Sequence, residues 1–173
     1  MRLSLTSCTV RSWEPGDVPA LVRHANNRRI WLNLRDRFPH PYTSSDGTSF
    51  IRRVRASQPE TTFAIEVDNE AAGGIGFMLQ PDVERVSAEI GYWLGEIHWG
   101  RGICTDALRA VTQYAIEQHG LTRVFALPFA HNAASCRVLE KAGFVVEGLL
   151  RRSAIKDGRT VDQKLYAFIV EPQ

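Results

Sequence analysis

His98–Leu108 reads HWGRGICTDAL, at the point where the apolar, strand-like stretch Ala88–Leu94 (AEIGYWL) gives way to an amphipathic helical pattern. Two glycines, Gly100 and Gly102, flank Arg101. Glycine permits backbone conformations and close approaches that a Cβ forbids. The first turn of the following helix offers N–H groups without intrahelical partners, at the positive end of the helix dipole. Together these features make a cradle for a phosphate or pyrophosphate, with the Arg101 guanidinium at its rim. A lone G-x-G equally describes a plain strand-to-helix turn, so the surrounding sequence has to decide.

With 173 residues the chain is long enough to bury a good core as one domain, residues 1–173. An apolar share of 44% and a charged share of 23% are ordinary for a globular protein. A net charge of +2 is too small to argue for a nucleic-acid or membrane partner, and the local run Arg52, Arg53 and Arg55 reads as a solvated helix face, with substrate steering as the alternative. No apolar run is long enough to span a bilayer, and Met1–Val10 lacks a signal-peptide core. Cys8, Cys104 and Cys136 are odd in number and lack metal-ligand spacing. They predict free thiols in a reducing, cytoplasmic setting and no metal.

Along the chain, Cys8–Trp13 reads as a strand ended by Glu14–Pro15–Gly16, and Asp17 as the cap of a helix reaching Asn26. Residues 27–42 read as a short helix and an extended loop. A helix follows from Ser45 or Asp46 to Ser57, with Phe50, Ile51 and Val54 on one face. Thr61–Val67 and Ala72–Gln80 are strands around Asp68–Asn69–Glu70, and Ser87–Leu94 is the next strand. After the glycine loop, Cys104, Ala107, Leu108, Val111, Tyr114 and Ala115 recur at helical spacing until Gly120. Then come a strand (Arg123–Phe129), a helix (Asn132–Ala142, closed by Gly143) and two strands, Phe144–Ile155 and Thr160–Val170, joined at Lys156–Asp157–Gly158. The order β-α-α-β-β-β-α-β-α-β-β predicts a single α/β domain with a mixed sheet.

Three segments, AEIGYWL, WGRGICTDAL (Trp99–Leu108) and HNAASCRVLEKAGF (His131–Phe144), occur in an order that resembles the GNAT superfamily of acetyl-CoA-dependent N-acetyltransferases. FPHPYT (Phe38–Thr43) and EGLLRRSAIKDGRTVDQKLYAFI (Glu147–Ile169) extend the resemblance to the RimJ/RimL-type branch, the ribosomal-protein N-terminal acetyltransferases. The resemblance covers nearly the whole chain. It implies a twisted, mostly antiparallel mixed sheet of about seven strands flanked by about four helices, and acetyl-CoA as co-substrate. The family loop reads [QR]-x-x-G-x-[GA], which lies on Trp99, Gly100, Arg101, Gly102, Ile103 and Cys104. Trp99 departs from Gln/Arg and Cys104 from Gly/Ala, though tryptophan is frequent here in this branch and cysteine is small. By resemblance, backbone N–H groups from Ile97 to Thr105 hold the pyrophosphate, and Asn132 touches the pantetheine arm while also suiting a helix N-cap. For Cys104, small-residue packing is the preferred reading over a thiol acidified at the helix start.

The resemblance also suggests chemistry. Ser135 lies where the family places a hydroxyl near the departing thiolate, which it protonates or stabilises by a hydrogen bond; a plain first-turn helix residue is the rival reading. The incoming amine needs a base: an α-amine with a pKa near 8 is roughly 10% free at pH 7, a lysine below about 0.1%. Glu89, on one strand face with Gly91 and Trp93, is the candidate base. Partial desolvation there is expected to raise its pKa toward a useful value, and substrate orientation or an arginine pairing is the competing role. Backbone N–H groups near Trp93 and Leu94 are the candidate oxyanion donors, and direct transfer without an acyl-enzyme is expected.

In this fold the acceptor pocket draws on residues 27–42, where Trp31, Asn33, Arg35, Phe38, His40 and Tyr42 are candidates. Arg35 and Arg37 favour an acceptor carrying an acidic group. The leading expectation is acetylation of a protein or peptide N-terminal α-amine. The alternatives are a small-molecule amine (amino acid, antibiotic or polyamine) and a non-catalytic acyl-CoA-binding domain. Apolar Leu165, Tyr166, Phe168 and Ile169 in the terminal hairpin suggest a homodimer.

Overall fold

The computed structural model describes residues 1–171. The chain packs as two compact units, Met1–Gly76 with Tyr92–Ala107, and Phe77–Gly91 with the chain from Leu108 onward. Among the described residues, β1 (Arg2–Ser4), β2 (Thr9–Ser12), β3 (Thr62–Val67), β4 (Glu70–Leu79), β5 (Ser87–Leu94), β6 (Arg123–Ala126), β7 (Val145–Lys156) and β8 (Arg159–Ile169) form an open mixed sheet of eight strands in the order β1-β2-β3-β4-β5-β6-β8-β7, accompanied by five helices. The sequence anticipates seven strands in place of eight. The extra one is β1 (Arg2–Ser4), which is too short to show alternation and is held by its antiparallel ladder to β2 (Thr9–Ser12).

In the first unit β1, β2, β3 (Thr62–Val67) and β4 (Glu70–Leu79) pair antiparallel. The β3–β4 turn is the pair Asp68–Asn69, with φ of +51° and +65°, the left-handed conformation that a two-residue hairpin demands and that Asn and Asp tolerate best among non-glycine residues. Glu70, expected within the turn, already belongs to β4. Helix α1 (Val18–Ala25) and α3 (Ser44–Ala56) bury Leu21, Ala25, Ile51 and Val54 against Trp13, Ala64 and Ala71. Between them lies the four-residue α2 (Arg28–Trp31), the short helix read before the loop.

Two local expectations need correction. Asp17 stands at the N-cap of α1 but makes no side-chain cap bond. Its carboxylate instead takes both ends of the buried Arg11 guanidinium, each at 2.8 Å, and the Glu14 N–H. A buried guanidinium demands a carboxylate, so Arg11 wins the competition for Asp17. Helix α3 starts at Ser44, ahead of the expected Ser45 or Asp46, because Thr43 and Asp46 form a reciprocal capping box.

In the second unit the first half of β5 (Ser87–Leu94) pairs in parallel with β6 (Arg123–Ala126), with Ser87, Ala88 and Glu89 opposite Arg123, Val124 and Phe125. Strand β8 (Arg159–Ile169) pairs antiparallel with β6 and with β7 (Val145–Lys156). The β7–β8 turn is Asp157–Gly158, both at positive φ, as the Lys156–Asp157–Gly158 signal predicted. β6 stops at Ala126 and not at Phe129, since Pro128 has no N–H to give a ladder. Phe129 keeps only an isolated bridge to Gln163. Helix α4 (Ile103–His119) is closed by Gly120 at φ +62°, and α5 (Ala133–Lys141) buries Cys136 and Leu139. Among the described residues no helix is long and apolar enough to cross a membrane.

Candidate active site

The glycine loop is built by the chain between β5 and α4, within the first unit. Gly95 donates its N–H to Ala72 O at 2.7 Å and packs so closely on His24 that a Cβ there would lie 2.4 Å from His24 Nδ1. A single 3-10 turn, Glu96–His98, follows. Glu96 is held by Asn27 Nδ2 at 2.7 Å and by Arg29. Trp99, one of the two residues that depart from the family pattern, makes contacts of its own. Its indole N–H donates to Leu94 O at 2.7 Å, and the Arg29 guanidinium lies over its ring at 5.2 Å. The indole therefore closes the loop onto the end of β5.

Gly100 and Gly102 have φ of +77° and +80°, so both glycines are required by conformation. A Cβ at either would meet nothing within 4 Å, which leaves open space in front of the turn. The N–H groups of His98 and Trp99 are already bonded to Gly95 O and Glu96 O, and those of Thr105 and Asp106 to Gly102 O. The N–H groups of the turn and of the first residues of α4 lie at the positive end of the helix dipole, where the expected Ile97–Thr105 cradle draws its other donors. Ile97 is three-quarters exposed. Asp106, in the first turn of α4, accepts a hydrogen bond from Ser7 Oγ at 2.6 Å.

Arg101 is half-exposed, with one guanidinium nitrogen 3.0 Å from His98 Nδ1 and 4.0 Å from Asp68. Cys104 is not an acidified thiol: burial, and then proximity to Cys8, push its pKa up to about 12. Desolvation outweighs the helix dipole, which leaves the small-residue reading of this position.

Of the acceptor candidates, Phe38 and Tyr42 belong to the apolar core of the first unit, as does Trp93. Phe38 sits 5.0 Å from the Tyr42 ring and 5.5 Å from Trp93, centroid to centroid. Tyr42 is buried, and burial first, then Asp46, raise its pKa to about 12. The Trp31 and His40 rings lie 5.8 Å apart, centroid to centroid, and are tilted by 31°. Asn33 donates to Arg29 O at 3.0 Å, while its Oδ1 is buried without a partner; Arg35 is exposed.

In the second unit Glu89 is half-buried and is the last residue of β5 in the ladder with β6. Asn132 is the N-cap of α5, its Oδ1 accepting from the Ser135 N–H at 3.1 Å. Ser135 is therefore a half-buried first-turn residue fixed by that cap, followed by the buried Cys136. Sequence reasoning gives no role to His98, whose contact with Arg101 ties the loop's charge to a buried imidazole; only its place at the head of the glycine stretch hints at this.

The sequence model of the family described as Acetyltransferase (GNAT) domain matches residues 8–145. The chain is 34% identical over 169 residues to the putative ribosomal N-acetyltransferase YdaF of Bacillus subtilis (strain 168), across 93% of this chain and 90% of that protein. It is 33% identical over 111 residues to the ribosomal-protein-serine acetyltransferase of Escherichia coli (strain K12), across 64% of this chain and 62% of that protein's length. The match to the uncharacterized N-acetyltransferase YoaA of Bacillus subtilis spans 58% of that protein. In fold the chain is similar to RimL, a ribosomal alpha-N-protein acetyltransferase solved in complex with coenzyme A, with a TM-score of 0.85, 23% identity and 98% of each chain covered.

Proposed function

We propose that this chain, which belongs to the GNAT acetyltransferase family and is an acetyl-CoA-dependent N-acetyltransferase, acts on the α-amine of a protein or peptide N-terminus. The observation that carries the cofactor reading is the Gly100–Gly102 turn, where two positive-φ glycines with open space before them lead into the head of a 17-residue helix. The acceptor reading is supported by the ribosomal N-acetyltransferases among the relatives, YdaF above all because it matches along most of its length.

In the mechanism we assign, acetyl-CoA brings the thioester and the loop N–H groups hold its pyrophosphate. Glu89 takes the proton from the incoming ammonium, directly or through a water, and leaves a free amine to attack. Backbone N–H groups near Trp93 and Leu94 steady the oxyanion as the carbonyl becomes tetrahedral. Collapse expels the thiolate, which accepts a hydrogen bond from the Ser135 hydroxyl, and the proton that the new amide nitrogen sheds passes through solvent to the thiolate. No acyl-enzyme is needed.

The test is release of free CoA thiol from acetyl-CoA with a panel of N-terminal peptides, amino acids, polyamines and aminoglycosides. Turnover confined to peptides supports the proposal. Turnover confined to small amines overturns the acceptor assignment, and acetyl-CoA binding with no turnover on any acceptor overturns the catalytic one.

A further inference from the structure

Three side chains that the acetyl-transfer mechanism leaves unused converge beside the glycine loop. His24 comes from α1, Glu70 from the first position of β4, and His98 from the end of the turn preceding Trp99. One donor atom from each lies within 4.8 Å of the other two. Both histidines are about nineteen-twentieths buried, and Glu70 is half-buried. His24 Nε2 is 2.7 Å from Glu70 Oε1, and the other carboxylate oxygen is held by Arg23.

The second observation is an unpartnered buried nitrogen. His98 Nε2 is buried and has no hydrogen-bond partner. Its other nitrogen, Nδ1, faces Arg101 at 3.0 Å, and a guanidinium only donates. Neutral His98 therefore carries its proton on Nε2, where nothing accepts it. A buried imidazole nitrogen left in that state costs free energy unless a ligand takes it.

We infer that His24, Glu70 and His98 form a binding site for a zinc-class divalent cation at the base of the Gly100–Gly102 turn, separate from the acetyl-transfer chemistry. Two imidazoles and one carboxylate are a borderline donor set that suits Zn²⁺ and leaves a fourth position for water. Bonds of about 2 Å place tetrahedral ligands about 3.4 Å apart, so the cation draws the three donors together by rotation of their side chains. Arg23 on the outer carboxylate oxygen is the kind of outer partner that orients a metal-ligating glutamate.

Occupancy has a consequence for the loop. Zinc on Nε2 moves the His98 ring proton to Nδ1, which can then no longer accept from Arg101. The cation ties α1, β4 and the loop together and releases the Arg101 side chain in the same step.

Zinc titration of the untagged, metal-stripped chain, by calorimetry or by competition with a chromophoric chelator, tests the site. Saturable binding of a single equivalent is expected, with Mg²⁺ unable to compete because it prefers oxygen donors. Glu70→Gln and His98→Gln should each weaken zinc binding by about tenfold or more. Arg101→Ala should tighten it, because the guanidinium no longer holds the competing tautomer. Glu70→Gln, at a half-buried strand start, keeps the test available if His98→Gln does not fold. Absence of saturable zinc binding, or unchanged affinity in Glu70→Gln, overturns the site. Unchanged affinity in Arg101→Ala overturns Nε2 as the His98 ligand atom.

Discussion

Glu89 is the half-buried residue with which the parallel ladder between β5 and β6 ends, and its proposed role is separable by pH from that of Ser135. Glu89→Gln keeps the shape of the side chain but accepts no proton. Acetyl-CoA affinity should stay near wild type while turnover falls by roughly 10²–10⁴, the usual worth of a positioned base. That deficit should shrink as pH rises and the α-amine deprotonates unaided. Ser135→Ala should show a deficit that raising the pH does not rescue, because the hydrogen bond it supplies goes to the leaving thiolate. pH–rate profiles of the two variants decide: normal turnover in Glu89→Gln removes Glu89 as the base, and parallel profiles mean that the two roles are wrongly divided. Gly102→Glu is a second check at this scale. Open space in front of Gly102 admits a side chain, but its φ of +80° makes any substitution cost about 1 kcal/mol or more in folding. Calorimetry should show acetyl-CoA binding lost, and Gly102→Ala separates backbone strain from the effect of a negative charge in the cradle.

At the scale of elements, the start of α5 depends on one side chain. Asn132 Oδ1 caps the Ser135 N–H, so Asn132→Ala should lower stability by about 1 kcal/mol in a denaturant titration. Asn132→Ser keeps a capping oxygen and loses the carboxamide. A fall in acetyl-CoA affinity in Asn132→Ser at nearly unchanged stability would assign the residue a cofactor contact as well as its cap, and unchanged affinity would leave only the cap. Elements with such local punctuation are legible in the sequence. α4 ends at its glycine, α5 begins at its asparagine, Asp157–Gly158 turns the last hairpin, and β5 has the bounds that its apolar pattern implies. What cannot be read is tertiary in origin. β1 exists through pairing with β2, and Asp17 is diverted from its cap by a buried Arg11. Trp99 reads as a departure until its indole is seen to hold Leu94 O. The His24–Glu70–His98 cluster joins positions too far apart in sequence to form a metal-ligand spacing.

For the molecule as a whole, two buried phenols set a limit at high pH. Burial raises Tyr42 to about 12 from its ordinary 10.0, and burial, then the Glu140 hydrogen bond, raises Tyr166 as well. An acid whose pKa is higher folded than unfolded holds its proton more tightly in the native state, so its contribution is whole below pH 10 and is lost as pH rises toward 12. Thermal midpoints should fall through that window together with the appearance of phenolate absorbance, and Tyr42→Phe should flatten the fall. Association is the remaining question at this scale. β7 is the last strand in the sheet order, and along it Val145 and Val146, then Leu149 and Leu150, are exposed. Successive strand residues point to opposite faces, so both faces of this edge are apolar and uncovered. Irregular pairing with β8 between Leu150 and Ala154, where Arg152 turns to positive φ, interrupts the edge and disfavours open-ended strand addition. The residues from which the sequence suggested pairing do not form this edge, since β8 runs between β6 and β7 and Tyr166 is buried; a closed pair of identical copies meeting on the Val145–Leu150 segment satisfies both features. Light scattering at micromolar concentration should give a dimer mass, and Leu149→Glu should return a folded monomer by placing a charge in the middle of the shared patch. A monomeric wild type, or a Leu149→Glu variant that remains dimeric, would exclude this segment as the interface.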